Sequence, residues 1–315
     1  MRGRVFLENH REDIKLDLTE FDQPGIIAKN AAIVLLKNNL KRIKENENIY
    51  YDKEKDAQFM KKYYRKLNLN GKGKNVFYSL HSYLKKTHKN IIPYFLSKDM
   101  YLYTWVDLQP DGTMKSIYSG KINDPDTFLL DDFMTVNERY EKFQELNQLY
   151  LNKHEMLKRV KSIDYESKFN TEHIVPQSWF NAAEPMKGDL HHLFVCQPDC
   201  NTLRSNLPYG DHAFYNPESE TEPIRNHCGV ASGEYFEPEY GKGTVARAML
   251  YFFVRYPDAI KKSIMKKIHI PVLLKWNRDF PVTVYEKHRN LAIYEIQGNR
   301  NPFIDFPELA GIIWP

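Results

Sequence analysis

The chain has 315 residues, of which 42% are hydrophobic and 27% charged, and its formal net charge of +4 is mildly basic. This length and apolar content allow a sizeable core, arranged as one large domain or as a domain with an appendage. No apolar run of roughly 18 residues occurs, which excludes a membrane-spanning helix. Three cysteines are too few for a disulfide-rich scaffold. The charge permits a phosphate-bearing partner without demonstrating one.

The first 74 residues are predicted to form a helical N-terminal extension. Apolar residues recur at helical spacing from Ile27 to Leu35 and again from Phe59 to Leu67. The segment Leu67 to Lys74, which contains asparagines and glycines, marks the boundary with a second unit, residues 75–315. Met1 to Asp22 lacks the apolar stretch of a secretory signal peptide, so a cytoplasmic location stays open.

The second unit is predicted to begin with a helix capped by Asn75. A β-hairpin follows, with strands Tyr101 to Leu108 and Met114 to Tyr118 around a turn at Pro110 to Gly112. The sequence Thr135 to Glu138 has the form of a capping box, which predicts a helix running to about Leu151.

The next elements are predicted as strand, loop, strand and helix. Phe169 to Ile174 and Leu190 to Val195 have strand character, and Pro198 fits the first turn of a helix. Apolar residues from Val245 to Tyr256 predict the main core helix, which Pro257 ends.

A last helix is predicted from Pro281 to a stop at Gly298. The pattern as a whole predicts an α+β protein with a mostly helical body and a small antiparallel sheet.

Four residues in this central region carry the chemistry needed to cut a phosphodiester. Neutral histidine is the usual base near pH 7, which makes His173 the candidate base. Glu172 and Asn201 offer oxygen ligands, which suit Mg²⁺, with Mn²⁺ and Ca²⁺ as alternatives. Arg204 lies three residues after Asn201, on the same helical face, and its guanidinium can bind phosphate oxygens.

One geometric requirement follows from that assignment. Adjacent residues of a regular strand point to opposite faces, so Glu172 and His173 can share a site only if the strand ends or distorts there.

Nearby polar residues have structural explanations as well as functional ones. His191 and His192 are expected to brace the loop, although one of them could lie near the metal. Asp189 is expected to accept hydrogen bonds in a turn or behind the site, and Asn206 to satisfy backbone groups rather than substrate.

The candidate site residues lie in the runs TEHIVPQSWF and KGDLHHLFVCQPDCNTLRSNLPYG, and the run FEPEYGKGTVARAMLYFFVRYPD follows them. Together these three runs resemble the endonuclease I family. The segment YTWVDLQPDGTMKSIYSG and the tail segments LLKWNRDFPVTVYEKHRN and GNRNPFIDFPEL resemble the Gram-positive secreted ribonuclease branch of that family, so the resemblance spans roughly Asn75 to Leu309. This resemblance implies a ββα-metal (His-Me finger) site in a sequence-nonspecific or RNA-preferring endonuclease that leaves 5′-phosphate and 3′-hydroxyl ends, and an extracellular location.

By position, the resemblance makes His173 the general base, Glu172 and Asn201 the metal ligands, and Arg204 a phosphate-side arginine. Some members of the family place an arginine between the base and the second strand. Ile174 to Cys200 contains none, and Lys187 is the only lysine there.

Two other functions remain open at this point. A binding protein without catalysis would keep the fold and the basic charge, but Glu172, His173 and Asn201 are all present. A zinc-stabilised module would need Cys196, Cys200 and the pair His227-Cys228 to bind metal, whereas buried free thiols are the default. The choice between RNA and DNA and the oligomeric state are not determined by the sequence.

Overall fold

The computed structural model describes residues 26–69, 71, 73–149, 151–166, 170–219 and 223–315. Its α-helices are α1 (Ile26–Glu45), α2 (Lys53–Tyr64), α3 (Lys74–Thr87), α4 (Tyr94–Leu96), α5 (Pro125–Leu146), α6 (Lys153–Glu166), α7 (Pro198–Arg204), α8 (Lys242–Arg255), α9 (Lys262–Met265), α10 (Ile270–Asp279), α11 (Val284–Gln297), α12 (Pro302–Asp305) and α13 (Leu309–Ile313). A π-helix, Ser97–Val106, continues from α4, and short 3₁₀-helices span Glu47–Ile49, Gln177–Trp179 and Leu190–His192. Met1 to Asp22 lies outside the described residues.

The strands of the described residues form three separate two-stranded antiparallel sheets. They are β1 (Met114–Lys115) with β2 (Ile122–Asn123), β3 (Thr171–His173) with β4 (Leu193–Val195), and β5 (Val230–Ser232) with β6 (Tyr235–Glu237). The α+β class is therefore right, with several small sheets in place of one. Among the same residues, no helix combines the length and apolar content that crossing a bilayer requires.

Helix α8 is the centre of the main core, as the sequence predicts. Nearly all of its side chains are buried, including Val245, Leu250 and Phe252. A helix that is buried on nearly every side must be surrounded by other elements, and α8 packs against α3, α10, α12 and the 3₁₀-helix Leu190–His192. Its neighbour Leu190–His192 belongs to the candidate site, so the core supports that site directly.

The described part of the N-terminal segment is helical, as predicted, and packs on the rest of the chain. Ala32 and Leu36 of α1 share an apolar cluster with Leu102 of the π-helix. Asp56 of α2 pairs with the buried guanidinium of Arg300 at 2.8 Å. The placement of a domain boundary near residue 74 stays a prediction.

The predicted strand Tyr101 to Leu108 is wrong, because most of it lies in the π-helix. Leu102, Tyr103 and Val106 are fully buried there, between α1, α5, α11 and β4. A short apolar run bounded by turn residues has the same pattern in a buried strand and in a buried helix. The predicted turn itself is present, since the Gly112 amide donates to the Gln109 carbonyl at 2.9 Å.

The predicted helix start at Thr135 is also wrong. Helix α5 begins ten residues earlier at Pro125, where the Asp124 side chain caps it, and Thr135 donates to the Asp131 carbonyl inside the helix. The helix predicted from Pro281 begins at Val284 with a capping box formed by Thr283, and it ends at Gly298 as expected.

Candidate active site

The candidate site is built on β3, β4 and α7, which occur in the predicted order of strand, loop, strand and helix. In the β3–β4 pair, Glu172 lies opposite Phe194 and His173 opposite Leu193. Helix α7 begins at Pro198, whose missing N–H costs nothing at that position. The helix then lies against β3.

Glu172 is a buried carboxylate held by two donors. Its Oε1 accepts hydrogen bonds from the Tyr118 hydroxyl and from Nη1 of Arg204, each at 2.7 Å. Burial raises the pKa of this carboxyl to about 7, against the opposing effects of Arg204 and Tyr118. A further positive charge beside Glu172, in addition to that of Arg204, would lower the pKa and favour the ionised carboxylate.

Asn201 is anchored so that its oxygen is available as a ligand. Its Nδ2 donates to the Thr171 carbonyl of β3 at 3.0 Å. Because a carbonyl can only accept, the amide orientation is fixed by this bond and Oδ1 is the end left to accept. Asn201 of α7 and Glu172 of β3 thus each carry a side-chain oxygen where α7 meets β3.

Arg204 is buried, and the phosphate contact expected of it stays a prediction. Only 1% of its side chain is exposed. Besides Glu172, it donates from Nη1 to the His173 carbonyl at 3.1 Å and from Nη2 to the Ile174 carbonyl at 2.6 Å. The guanidinium lies over the Tyr209 ring. Nη1 and Nη2 thus donate to three protein oxygens, and the buried guanidinium contacts the end of β3.

His173 is held in one tautomer. Its Nε2 lies 2.9 Å from the Lys187 carbonyl and its Nδ1 lies 3.2 Å from Nε2 of Gln177. Since the carbonyl must accept, Nε2 carries the proton and Nδ1 is the basic nitrogen. Burial lowers the pKa of His173 well below its usual value, and the nearby His192 imidazole adds to the effect. The ring is therefore neutral near pH 7.

Glu172 and His173 contact different neighbours, although β3 ends at His173. Glu172 reaches Tyr118 and Arg204, whereas the His173 ring packs with Tyr94 and His192 at centroid distances of 5.0 and 5.5 Å. Arg204 connects the two residues, because Nη1 binds both the carboxylate of the first and the carbonyl of the second.

The side chains of His191 and His192 make contacts of the kind that brace a loop. Both are buried, and their Nε2 atoms lie against the carbonyls of Asn299 and Met186 at 3.2 and 2.5 Å. His192 also packs edge-on against Phe252 of α8.

Asp189, Lys187 and Asn206 occupy three different environments. Asp189 accepts from its own 3₁₀-helix and from the hydroxyls of Tyr251 and Tyr256, each of the latter at 2.8 Å. Lys187 contributes its carbonyl to His173, while its ammonium lies over the Tyr94 ring at 4.8 Å. Asn206 is exposed beyond the end of α7.

Three residues of the site are absent from the sequence-based prediction. Tyr118 and Tyr209 meet hydroxyl to hydroxyl at 2.6 Å behind Glu172, and Gln177 contacts the basic nitrogen of His173. No spacing rule links Tyr118 to a carboxylate 54 positions away. Of these contacts, the one between Gln177 and His173 could have been suspected from the sequence, because the two residues are four positions apart.

Two of the three cysteines form a disulfide, Cys200–Cys228, and Cys196 is free and buried. The default of free thiols is therefore wrong for the bridged pair and right for Cys196. His227 is largely exposed, and among the described residues no group of three or more His, Cys, Asp or Glu side chains is arranged to hold a metal. The disulfide uses Cys200 and Cys228, two of the thiols that a zinc-stabilised module would need as zinc ligands.

A comparison with family models decides the relationship. Residues 76–308 match the model described as Endonuclease I. The chain belongs to the endonuclease I family. The expected family is therefore confirmed, and the match includes the whole candidate site.

Relatives of this endonuclease I chain carry nuclease names. An extracellular ribonuclease of Bacillus amyloliquefaciens is 35% identical over 162 residues, 46% of this chain and 54% of the relative. An extracellular ribonuclease of Bacillus subtilis (strain 168) is 34% identical over 163 residues, 47% and 54% of the two chains. An extracellular deoxyribonuclease of Aeromonas hydrophila is 29% identical over 125 residues, 38% and 50%. The matches span about half the length of these relatives.

Proposed function

We propose that the protein is a divalent-metal-dependent endonuclease that hydrolyses phosphodiester bonds of RNA, DNA or both to 5′-phosphate and 3′-hydroxyl ends. The observation that carries the proposal is the fixed tautomer of His173, with a basic Nδ1 beside Gln177. Membership of the endonuclease I family and the nuclease names of its relatives support the reaction class.

His173 is the general base in this proposal. A water molecule beside Nδ1 gives up its proton to that nitrogen and attacks phosphorus in line with the leaving 3′-oxygen. Oε1 of Gln177 is buried and has no hydrogen-bond partner among the described residues. The single lone pair of Nδ1 accepts from Nε2 of Gln177 in this structure. In this proposal the attacking water displaces that amide group before Nδ1 takes its proton, and the unpartnered Oε1 of Gln177 is an acceptor for the same water.

Glu172 and Asn201 fit a hard divalent cation, with Mg²⁺ the first choice. Their donors are oxygens only, and two protein ligands leave coordination positions for water and phosphate, as is common for Mg²⁺. A bound cation supplies positive charge that offsets the charge developing at the phosphate. Tyr118 and Arg204 position the carboxylate through Oε1, which leaves Oε2 as the oxygen to offer.

The proposed substrate is nucleic acid, and its recognition is mainly through phosphates. Contacts to phosphate position a strand without reading its bases, so cleavage should depend only weakly on sequence. Relatives are named ribonucleases and deoxyribonucleases, so both polymers belong in the test.

Divalent-ion dependence tests the proposal. We expect purified protein to cut single- and double-stranded RNA or DNA in Mg²⁺, Mn²⁺ or Ca²⁺ and to stop in EDTA, because two oxygen ligands form an exchangeable site. Readdition of Mg²⁺ should restore cutting, which separates chelation from loss of the fold. Full activity after exhaustive chelation would contradict the proposal.

A further inference from the structure

Two successive backbone carbonyls, those of Met186 and Lys187, face the imidazoles of the candidate site. The Lys187 carbonyl lies 2.9 Å from Nε2 of His173, and the Met186 carbonyl lies 2.5 Å from Nε2 of His192. The first of these contacts decides which nitrogen of His173 carries the proton. The groups that hold the Lys187 carbonyl in place therefore act on the proposed base.

The carboxylate of Glu184 attaches this segment to the start of α4. Its Oε1 accepts from the backbone N–H of Tyr94 at 3.0 Å, and its Oε2 accepts from the backbone N–H of Gly188 at 2.8 Å. Glu184 is exposed, yet its two oxygens bind donors from two different parts of the chain. Because a carboxylate is a stronger acceptor than a neutral oxygen, both bonds are of the charge-assisted kind.

The N–H of Gly188 and the carbonyl of Lys187 belong to the same peptide group. This peptide bond is trans, so its N–H and C=O point in opposite directions. Glu184 therefore binds one end of the group and His173 the other. A negative charge at the N–H end polarises the peptide, which makes its carbonyl a stronger acceptor for the imidazole.

Two further contacts restrict the position of Gly188. Its carbonyl accepts from the buried Ser97 hydroxyl at 2.7 Å. A Cβ atom at Gly188 would lie 2.1 Å from the Ile92 carbonyl oxygen, so only glycine allows the two backbones to approach this closely. The loop is therefore in direct contact with the segment ahead of α4, and Glu184 spans that contact.

We propose that Glu184 is a positioning residue for the nuclease reaction, which acts on His173 through the peptide group between Lys187 and Gly188. The inference deepens the proposed function and rests on His173 being its base. Glu184 fixes the carbonyl that accepts from Nε2, and it also binds the backbone of Tyr94, whose ring packs against the imidazole at 5.0 Å. Nδ1 is thereby kept as the nitrogen that takes a proton from water.

Asp52 provides a matched control, because its carboxylate also accepts two backbone N–H groups. Its Oδ1 accepts from Glu54 and Lys55 at 3.0 and 2.9 Å at the start of α2. Both Asp52 and Glu184 are exposed. Removing either carboxylate takes two bonds from the backbone, whereas Glu184 is the one of the two that is joined to the Lys187 peptide. Thermal unfolding of the two alanine variants measures the cost in stability separately.

The exchange of the His173 Nε2 proton with water tests the inference without cleavage. Full-length protein labelled with ¹⁵N in its histidine rings is measured by NMR without nucleic acid or divalent ions, and the signal is assigned by its absence in His173→Gln. A buried ring proton bonded to a fixed carbonyl exchanges slowly. We expect slow exchange in the wild type and Asp52→Ala. Exchange in Glu184→Ala should be faster by about tenfold or more, the scale of one hydrogen bond to a charged group.

A second variant, Glu184→Gln, keeps the length of the side chain but has one acceptor oxygen and no charge. Its exchange rate should lie between those of the wild type and Glu184→Ala, and it takes the place of Glu184→Ala if that protein does not fold. An exchange rate equal to that of Asp52→Ala in both Glu184 variants, or in Glu184→Gln where it stands alone, would overturn the inference.

Cleavage kinetics in Mg²⁺ give a second readout at a temperature where the proteins are folded. Glu184→Ala should lower kcat by roughly tenfold or more with KM little changed, because a misplaced base acts on the chemical step. Asp52→Ala should cleave at the wild-type rate. An unchanged kcat in Glu184→Ala would overturn the inference. Failure of the wild type to cleave in any divalent ion would count against the nuclease proposal, while the proton-exchange result would still decide the action of Glu184 on His173.

Discussion

At the residue scale, Arg204 and Glu172 form a buried pair that sequence could only partly anticipate. Their spacing to His173 and Asn201 identifies them as site residues, but whether a guanidinium faces solvent or protein depends on the elements around it. Tyr209 and the carbonyls of His173 and Ile174 enclose Arg204 here. In this structure Arg204 contacts Glu172 and the end of β3, and the phosphate contact expected of it stays a prediction.

This buried pair predicts the behaviour of Arg204→Ala. Removing one partner of a buried pair leaves the other charge uncompensated, so the free energy of unfolding should fall by about 3–5 kcal/mol in urea denaturation. Arg278→Ala, at a position whose side chain is 73% exposed, should change it by less than about 0.5 kcal/mol.

The salt dependence of cleavage by Arg204→Ala separates the two roles. A lost phosphate contact reduces the slope against log salt by roughly one counterion, whereas a positioning residue leaves the slope unchanged. A fully stable Arg204→Ala protein with a flattened slope would show that this arginine binds phosphate.

At the scale of elements, α7 has three attachments, two to β3 and one to the segment ahead of β5. Asn201 and Arg204 bond to the strand, and Cys200, between Pro198 and Asn201, is bridged to Cys228 ahead of β5. The strand, loop, strand and helix could be predicted because proline position and strand propensity are local signals. The bridge could not, since three cysteines allow several pairings and folding decides which are close.

The bridge predicts a stability difference. Cross-linking positions 28 residues apart restricts the unfolded chain, so Cys228→Ser should lower the free energy of unfolding by about 2–4 kcal/mol. Dithiothreitol should destabilise the wild type by a similar amount and leave Cys228→Ser unaffected in urea denaturation. Cys196→Ala serves as the control that keeps the bridge. A wild type insensitive to reductant would contradict this account of α7.

The π-helix shows where local signals fail at this scale. Leu102, Tyr103 and Val106 satisfy strand propensity, yet burial on all sides by α1, α5 and α11 selects a helical segment. Tertiary packing decides such short apolar runs. The same holds for Thr135, where a capping sequence lies inside a helix that Asp124 already caps.

At the scale of the whole molecule, buried neutral histidines make stability depend on pH. Burial lowers the pKa of His191 to about 4, and burial also lowers the pKa of His88, His192 and His288. Between about pH 6.5 and 4 the unfolded state then binds a proton at His191 that the folded state does not, so acid favours unfolding. Glu172, with its pKa raised to about 7, acts in the opposite direction.

A comparison with His191→Gln isolates this contribution. The free energy of unfolding of the wild type, relative to that of the variant, should fall by about 3 kcal/mol between pH 7 and 4. This amount corresponds to the lowering of the His191 pKa from 6.5 to about 4. Urea denaturation at a series of pH values measures it. A difference between the two proteins that stays constant with pH would contradict the assignment of His191 as a neutral, buried group.

The central claim is that His173 is the base of a metal-dependent nuclease, and single-turnover cleavage in Mg²⁺ by His173→Ala tests it most directly. The account predicts a loss on the order of 10²-fold or more in rate with nucleic-acid binding retained, partial recovery in added imidazole, and a normal rate for His154→Ala, an exposed histidine of α6. Cleavage by His173→Ala at close to the wild-type rate would contradict the account.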